Sequence, residues 1–284
     1  MAELFSHSRL KCFENCPKQF QFRYVLRLPQ ETEGIEAFVG KRVHEILERL
    51  YLFVGQGMLP SLPQVKSRFE QLWQTEYDAE RVKIVREGVE PAFYQELGIR
   101  CLEGYYRRHY PFDGDETLGV EQRVVFDLDP SAPGQYRMQG IIDRVARARD
   151  GVLEVQDYKT GKFVPSQQDL DADRQLALYQ MGLGERYPGE ESVRLVWHYL
   201  ARGIVRQSQR SPEQLQALRH STIAVIDRIR DETAFEPKKS RLCDWCEFKK
   251  LCPAWNPDAV LPEPVEQRAE AARESDPAEQ LSLL

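Results

Sequence analysis

The sequence predicts a protein of the α/β class, with a core of strands and helices wrapped in extra helices. Three observations predict it. Apolar residues recur at helical spacing up to residue 109 and again from residue 211. Between residues 119 and 200 the pattern changes to short, β-branched runs divided by turn residues. A further helical stretch separates the third of those runs from the fourth. The order alone, helices, three strands, a helix, a strand and helices, fits an α/β or an α+β core. No internal repeat is evident.

Residues 36–54 place Val39, Val43, Ile46, Leu47 and Leu50 on one stripe of a helix. Residues 64–80 and 91–109 are also amphipathic and rich in aromatics. GVEQRVVFDL (119–128), QYRMQGIIDRVARA (135–148), GVLEVQDYK (151–159) and SVRLVWHYL (192–200) read as strands, with a helix over about 171–186 before the last. Ser211-Pro212 supplies an N-cap followed by proline at the first helical position for a helix over 211–230. Past Trp255 the Pro- and Glu-rich sequence has no periodicity and reads as a disordered tail.

At 284 residues the chain is long enough for two domains or one elaborated domain, with a core that needs no disulfide staples. No apolar run is long enough for a membrane span, and the first residues hold no apolar signal core. A cytoplasmic address with reduced thiols is therefore expected, so the six cysteines read as metal ligands or buried thiols. The net charge of −6 is concentrated in residues 257–284, which hold seven acids against two arginines. The remainder is near neutral, with basic clusters in residues 1–30 and 238–250. Local positive charge of this kind permits a nucleic-acid groove without establishing one.

The most informative stretch is residues 140–162. Strand alternation puts Leu153, Val155, Asp157 and Lys159 on one face, and Ile141, Asp143, Val145 and Arg147 on one face of the preceding strand. A three-residue turn with Gly151 at positive φ pairs residues whose numbers sum to 300, setting Asp143 opposite Asp157 and Ile141 opposite Lys159. Two acids and a lysine then stand at the edge of an apolar face made by Ile141, Val145, Leu153 and Val155. Carboxylates so close repel unless neutralised. A divalent cation such as Mg²⁺ or Mn²⁺ is the economical solution, and metal plus lysine beside a phosphodiester is a hydrolysis site.

Gly-Ile-Ile-Asp at 140–143 followed by V-Q-D-Y-K-T-G at 155–161 resembles the core of the PD-(D/E)XK nucleases, specifically their RecB-like exonuclease branch. Gly40-Lys41-Arg42-Val43-His44, with Leu47 and Glu48, resembles the GxxxH helix of that branch. Glu121 resembles its upstream acidic position, and Gln175-Leu176-Ala177-Leu178-Tyr179 its QxxxY helix. Positions i and i+4 share a helical face, so the Gln175 amide and the Tyr179 phenol can project together. The resemblance implies a restriction-endonuclease-like central mixed sheet flanked by helices. It also implies that Asp143, Asp157, His44 and the backbone carbonyl of Tyr158 hold the metal. Lys159 would be the catalytic lysine, with Gln175 and Tyr179 positioning the strand.

Cys243-x2-Cys246-x5-Cys252, followed by Pro253, is one ligand short of a four-cysteine site. Cys12, Cys16 and Cys101 are the candidates for the fourth. The segment SRLKCFENCPKQFQFRY resembles the N-terminal cysteine element of iron–sulfur RecB-like nucleases, the AddB-type and CRISPR-associated adaptation enzymes, and that resemblance selects Cys16. It favours a [4Fe–4S] cluster over zinc, which spacing alone leaves open. The cluster would clasp together the extra helices at the two ends, while Cys101 is expected in the core. The expected organisation is a nuclease domain over 1–256, with a catalytic core at about 36–205 and a clasp from 1–30 plus 236–256. The acidic tail follows at 257–284.

The function implied is a metal-dependent DNA exonuclease that hydrolyses phosphodiester bonds in single strands or at DNA ends, in repair or recombination. A CRISPR-adaptation nuclease trimming integration precursors is an alternative. So is a non-catalytic metal-clasped DNA-binding module, although Asp143, Asp157 and Lys159 are all intact. Phe20, Phe22, Arg23, Tyr24, Trp245, Lys249 and Lys250 are candidates for gripping single-stranded DNA by stacking and charge. The final residues, Gln280, Leu281, Leu283 and Leu284 among them, resemble peptides that dock on the bacterial sliding clamp. Expected partners are DNA, that clamp and a helicase, with no membrane.

Overall fold

A computed structural model describes residues 3–184, 186–190 and 192–261. The clamp-like residues Gln280, Leu281, Leu283 and Leu284, and nearly all of the acidic tail, lie outside the described residues. The chain runs through β1 (Leu4–Ser6), α1 (His7–Asn15), α2 (Pro17–Phe20) and a π-helical turn (Gln21–Val25). It continues through β2 (Glu33–Gly34), α3 (Ile35–Gly55), α4 (Leu62–Glu76), β3 (Val82–Lys83) and α5 (Pro91–His109). Next come β4 (Asp115–Asp127), β5 (Arg137–Ala148), β6 (Leu153–Lys159), α6 (Gln167–Asp171) and α7 (Gln175–Leu183). β7 (Val193–Tyr199), β8 (Ile204–Ser208) and α8 (Pro212–Asp231) precede two 3₁₀ turns, Arg241–Trp245 and Lys249–Leu251. Among the described residues no helix is long and apolar enough to cross a membrane.

Two compact units divide these elements: Met1–His7 with Gly34–Asp227, and Ser8–Glu33 with Arg228–Leu284. The first unit is built on a six-stranded mixed sheet in the order β1-β5-β6-β7-β8, with β4 paired along β5. β4 occupies one edge of β5 from residue 137 to residue 148. β1 and β6 therefore share the opposite edge, β1 at residues 137–139 and β6 at 144–147. Between those two ladders lies the stretch 140–143, where β6 parts from β5.

Helices cover both faces of this sheet. On one side the stripe Ile35, Val39, Val43, Leu47 and Leu50 of α3 packs with Phe69 and Trp73 of α4, Cys101 and Leu102 of α5, and Tyr158. Cys101 is thus the core residue its helical spacing predicted. On the other side Leu176, Ala177 and Leu183 of α7 pack on Val145, Leu153, Val155, Leu195 and Trp197. Every side chain of β6 before Lys159 is buried, as a central strand covered on both faces requires.

The β5–β6 hairpin has the predicted register: Arg144, Val145, Ala146 and Arg147 pair with Gln156, Val155, Glu154 and Leu153. Gly151 takes φ +83°, a conformation that costs a side-chain-bearing residue. Ile141 departs from expectation. It is 52% exposed instead of forming part of the apolar face, because the β6 ladder begins only at Arg144 and leaves Ile141 at the open stretch.

Two helices also differ. The stretch expected at 64–80 ends at Glu76, where Tyr77 turns extended and the Asp78 carboxylate accepts from the Glu80 amide, competing with the helix. The stretch expected at 171–186 is two helices. Asp173 accepts from the Gln175 amide, and Arg210 Nη2 donates to the carbonyls of Leu170 and Asp173, ending α6 and starting α7 at Gln175. The short strands β1 and β8 carry too few residues for a clear alternation.

In the second unit the aromatics form a core. Phe13 and Phe20 meet edge to face at 5.4 Å, Phe20 stacks on Phe235 at 6.3 Å, and Phe22 meets Phe248 at 5.6 Å. Phe20 and Phe22 are buried, which corrects their reading as DNA-gripping residues: stacking within this core already occupies both rings. Arg23 is held by Glu247, and Tyr24 lies under the Arg9 guanidinium at 5.4 Å. Trp245 and Lys250 remain exposed.

Candidate active site

α3 and β6 meet where the β5 edge opens. His44 leaves the apolar stripe of α3 with its Nε2 2.8 Å from the Tyr158 carbonyl oxygen and its Nδ1 3.5 Å from Asp143 Oδ1. The Tyr158 amide donates to Asp143 Oδ2 at 2.8 Å, bridging the two strands beyond their last ladder pair. Burial alone would lower the His44 pKa. Its contacts with Asp143, and the charge of Asp157, outweigh burial and lift it to about 9.

Glu121 completes the cluster. The register of β4 slips between Thr117 and Gly119, and Glu121 then takes φ +42°, a left-handed conformation unusual for a side-chain-bearing strand residue. Local strain of this kind commonly marks a residue held for function. His44, Glu121 and Asp143 offer ligand atoms that all lie within 4.8 Å of one another. Burial, then the neighbouring Asp143 charge, pushes the Glu121 carboxyl up to about 7. An imidazole and two carboxylates suit a divalent cation of the Mg²⁺ or Mn²⁺ kind. The Asp143 and Asp157 carboxylates that lift His44 are the negative charge such an ion would balance.

Asp157 stands outside that set of three. It pairs across the ladder with Trp197 of β7, and burial raises its pKa, with Lys159 opposing and Asp143 adding to the rise. Lys159 Nζ lies 2.7 Å from Asp157 Oδ2 and donates to Gln175 Oε1 at 3.0 Å. Gln175 Nε2 donates to Asp157 Oδ1 at 3.0 Å and lies 3.4 Å from the Tyr179 hydroxyl. Gln175 and Tyr179 thus project together toward the acid and the lysine, as the i and i+4 spacing predicts. Gly140 makes room for this: a Cβ there would sit 2.3 Å from the Tyr179 ring.

Sequence pattern alone leaves Glu121 outside the ligand set and does not single out Arg144. The one sequence signal for Glu121 is its likeness to an upstream acidic position. Arg144 points to the opposite face from Asp143 and is fully buried. Its guanidinium donates to Asp115, to Thr117 Oγ1 at 3.0 Å and to Gln156 Oε1 at 2.9 Å, and lies 3.7 Å from the Tyr51 ring centroid. Tyr51, Tyr105 and Tyr158 continue as a chain of hydroxyls, 2.6 and 3.3 Å apart, behind the Tyr158 carbonyl.

In the second unit Cys16, Cys243, Cys246 and Cys252 line one cavity. The Lys238 amide donates to Cys16 Sγ and the Ser240 amide to Cys243 Sγ, each at 3.4 Å. Glu247 accepts from Gln19 and Arg23, joining the early and late segments beside it. Among the described residues no three of these sulfurs lie within 4.8 Å of one another. A four-cysteine cluster is therefore not formed in the structure as it stands. Cys12 is buried in the core, which pushes its thiol up to about 11.

The profile of the PD-(D/E)XK nuclease superfamily matches residues 4–253. Over 175 residues the chain is 31% identical to an ATP-dependent helicase/nuclease subunit of Lactiplantibacillus plantarum. That match takes in 58% of this chain but only 13% of the relative, so the chain corresponds to a small part of it. Among solved structures, a proposed exonuclease from Eubacterium rectale aligns over 93% of this chain and 91% of that one, with a TM-score of 0.51 and 12% identity. At that identity the likeness concerns the fold.

Proposed function

Because the chain belongs to the PD-(D/E)XK nuclease superfamily, we propose that it is a metal-dependent DNA exonuclease acting on single strands or DNA ends. The observation that carries this reading is the convergence of His44, Glu121 and Asp143 within 4.8 Å, with Asp157 and Lys159 alongside. In this reading His44, Glu121, Asp143, Asp157 and the Tyr158 carbonyl hold Mg²⁺ or Mn²⁺. When bound, the cation supplies Lewis acidity to the phosphodiester and makes water a usable nucleophile near neutral pH. Lys159 sets a positive charge where negative charge develops on the phosphate. Burial would lower its pKa, but Asp157 raises it, so the amine stays protonated. Gln175 holds Lys159 and Asp157 at a fixed separation, and Tyr179 offers a hydroxyl to the passing strand.

The likeness to part of a helicase/nuclease subunit supports a helicase as the partner; unwound strands as the substrate and repair or recombination as the setting belong to the same proposal. The terminal peptide with Gln280, Leu281, Leu283 and Leu284 would tether the enzyme to a sliding clamp. A time course on end-labelled oligonucleotides with Mg²⁺ or Mn²⁺ tests the activity. Wild type should release short products, and Lys159→Ala and Asp143→Ala should release none. Equal degradation by all three proteins would reject the site.

We further propose that Cys16, Cys243, Cys246 and Cys252 bind a [4Fe–4S] cluster. The shared cavity and the two amide donors to sulfur support it. Full-length protein purified without oxygen should be brown, with four irons per chain, and Cys246→Ser should lose the colour. A colourless protein with stoichiometric zinc would overturn the assignment.

A further inference from the structure

The chain leaving Lys159 runs past the candidate site under firm constraint on both sides of one exposed aromatic. Thr160 lies against Gly40 of α3, since a Cβ at Gly40 would be 3.4 Å from Thr160 Oγ1. Lys162 sets its Nζ 5.0 Å from the Phe93 ring centroid, and its carbonyl accepts from Arg202 Nε at 3.1 Å. Val164 packs into the apolar cluster that also receives Tyr179. Phe163, between these anchored neighbours, is 79% exposed. Its exposure therefore belongs to a held loop, not to a free one.

A single exposed phenylalanine is ordinary. Here three further facts bear on it. Phe163 is four residues from Lys159, at most about 14 Å of extended chain. Lys162, its neighbour in the chain, and Arg202, whose Nε donates to the Lys162 carbonyl, are both exposed and bring two cations to the same stretch of loop. Ile141, 52% exposed, presents a second apolar surface two residues from Asp143. An aromatic face flanked by cations is the arrangement that holds single-stranded nucleic acid, whose bases offer free faces that a duplex keeps inside its stack.

We propose that Phe163 is a base-stacking residue that takes the face of an unpaired nucleobase beside the scissile phosphate, with Ile141 as a second apolar contact, so that the site prefers single-stranded ends. This rests on the nuclease reading above and names its substrate class. Lys162 and Arg202 meet the adjoining phosphates, and the anchored loop presents the ring already in place. Duplex ends gain nothing from Phe163 until they fray.

The test uses full-length Asp157→Asn protein, which the nuclease reading expects to hold DNA uncut, with Mg²⁺ and a labelled oligothymidylate read by fluorescence anisotropy. Adding Phe163→Ala should weaken binding about tenfold, within the range for one lost base–aromatic stack, and Phe163→Trp should restore it. On a strand of equal length with abasic sugars at its terminal nucleotides, the proteins with and without the Phe163→Ala change should bind alike. Unchanged binding by Phe163→Ala, or an equal loss on the abasic strand, would overturn the proposal. Failure of wild type to cut DNA while the binding difference persists would remove the nuclease reading instead.

Discussion

Arg144→Met should lower the stability of the protein by about 3–5 kcal/mol, the cost of removing one partner from a buried ion pair. Arg144 sits between Asp143 and Val145 on β5 and is fully buried, while Asp115 retains slight exposure. Removing the guanidinium strands the Asp115 carboxylate and takes a donor from Gln156 Oε1 and from Thr117. It also withdraws the cation that lies 3.7 Å from the Tyr51 ring. Arg144→Lys should recover only part of the loss, because one ammonium cannot reach three partners with a planar fork. Urea denaturation measures both. The double variant Arg144→Met/Asp115→Asn should lose less than the two single variants summed, since it strands no charge. A loss below about 1 kcal/mol for Arg144→Met would mean that water reaches Asp115 freely.

Acid should weaken the native state through His109. This residue ends α5, where the helix dipole favours a cation. Burial, then the charges of Arg144 and Arg108, nonetheless lowers its pKa to about 4. The unfolded chain takes up the same proton near about pH 6.5. Between those values the unfolded state binds more protons, so this contribution is whole above about pH 6.5 and is lost as pH falls toward 4. The slope is about 1.4 kcal/mol per pH unit, about 3 kcal/mol in all. Glu121, raised to about 7, works in the opposite sense, so a single pH profile mixes the two. The difference between wild type and His109→Phe isolates the histidine. Phenylalanine keeps the stack on Tyr105, whose centroid is 4.2 Å away, and removes a buried ring nitrogen with no partner among the described residues. Wild type should lose ground to the variant as denaturation is repeated from pH 6.5 down to about 4.5. A constant difference would show that His109 titrates as it does in the unfolded chain.

What the sequence made legible follows from local periodicity. Alternation along β5 and β6, with a glycine able to take positive φ at the turn, was enough to set the hairpin register and so to bring Asp143 and Asp157 toward one place. The i and i+4 spacing was enough to send Gln175 and Tyr179 to one side of α7. What was hidden depends on departures from periodicity. Glu121, marked in the sequence only by resemblance, follows a bulge and itself takes a left-handed conformation, which alternation cannot register. Ile141 has the composition of a core position but lies where a ladder has stopped. Phe20 and Phe22 carry the same side chains as a DNA-stacking surface, and only their partners, Phe13, Phe235 and Phe248, show them to be a core. Arg144 finds Asp115 across a neighbouring strand, a partnership no local pattern announces. For the cysteines, spacing grouped three and resemblance chose Cys16. The structure sets all four around one cavity without drawing them into contact.

The shared edge of β5 has a consequence for how the protein comes into being. Leu4 must find Arg137, 133 positions along the chain, before that edge is filled on one side of the opening, whereas β6 fills the other side through a short turn. Closing so large a loop is entropically slow compared with zipping a hairpin. A growing polypeptide can thus set its acidic hairpin early and still lack the neighbouring strand, so the cleft acquires its final walls late in maturation.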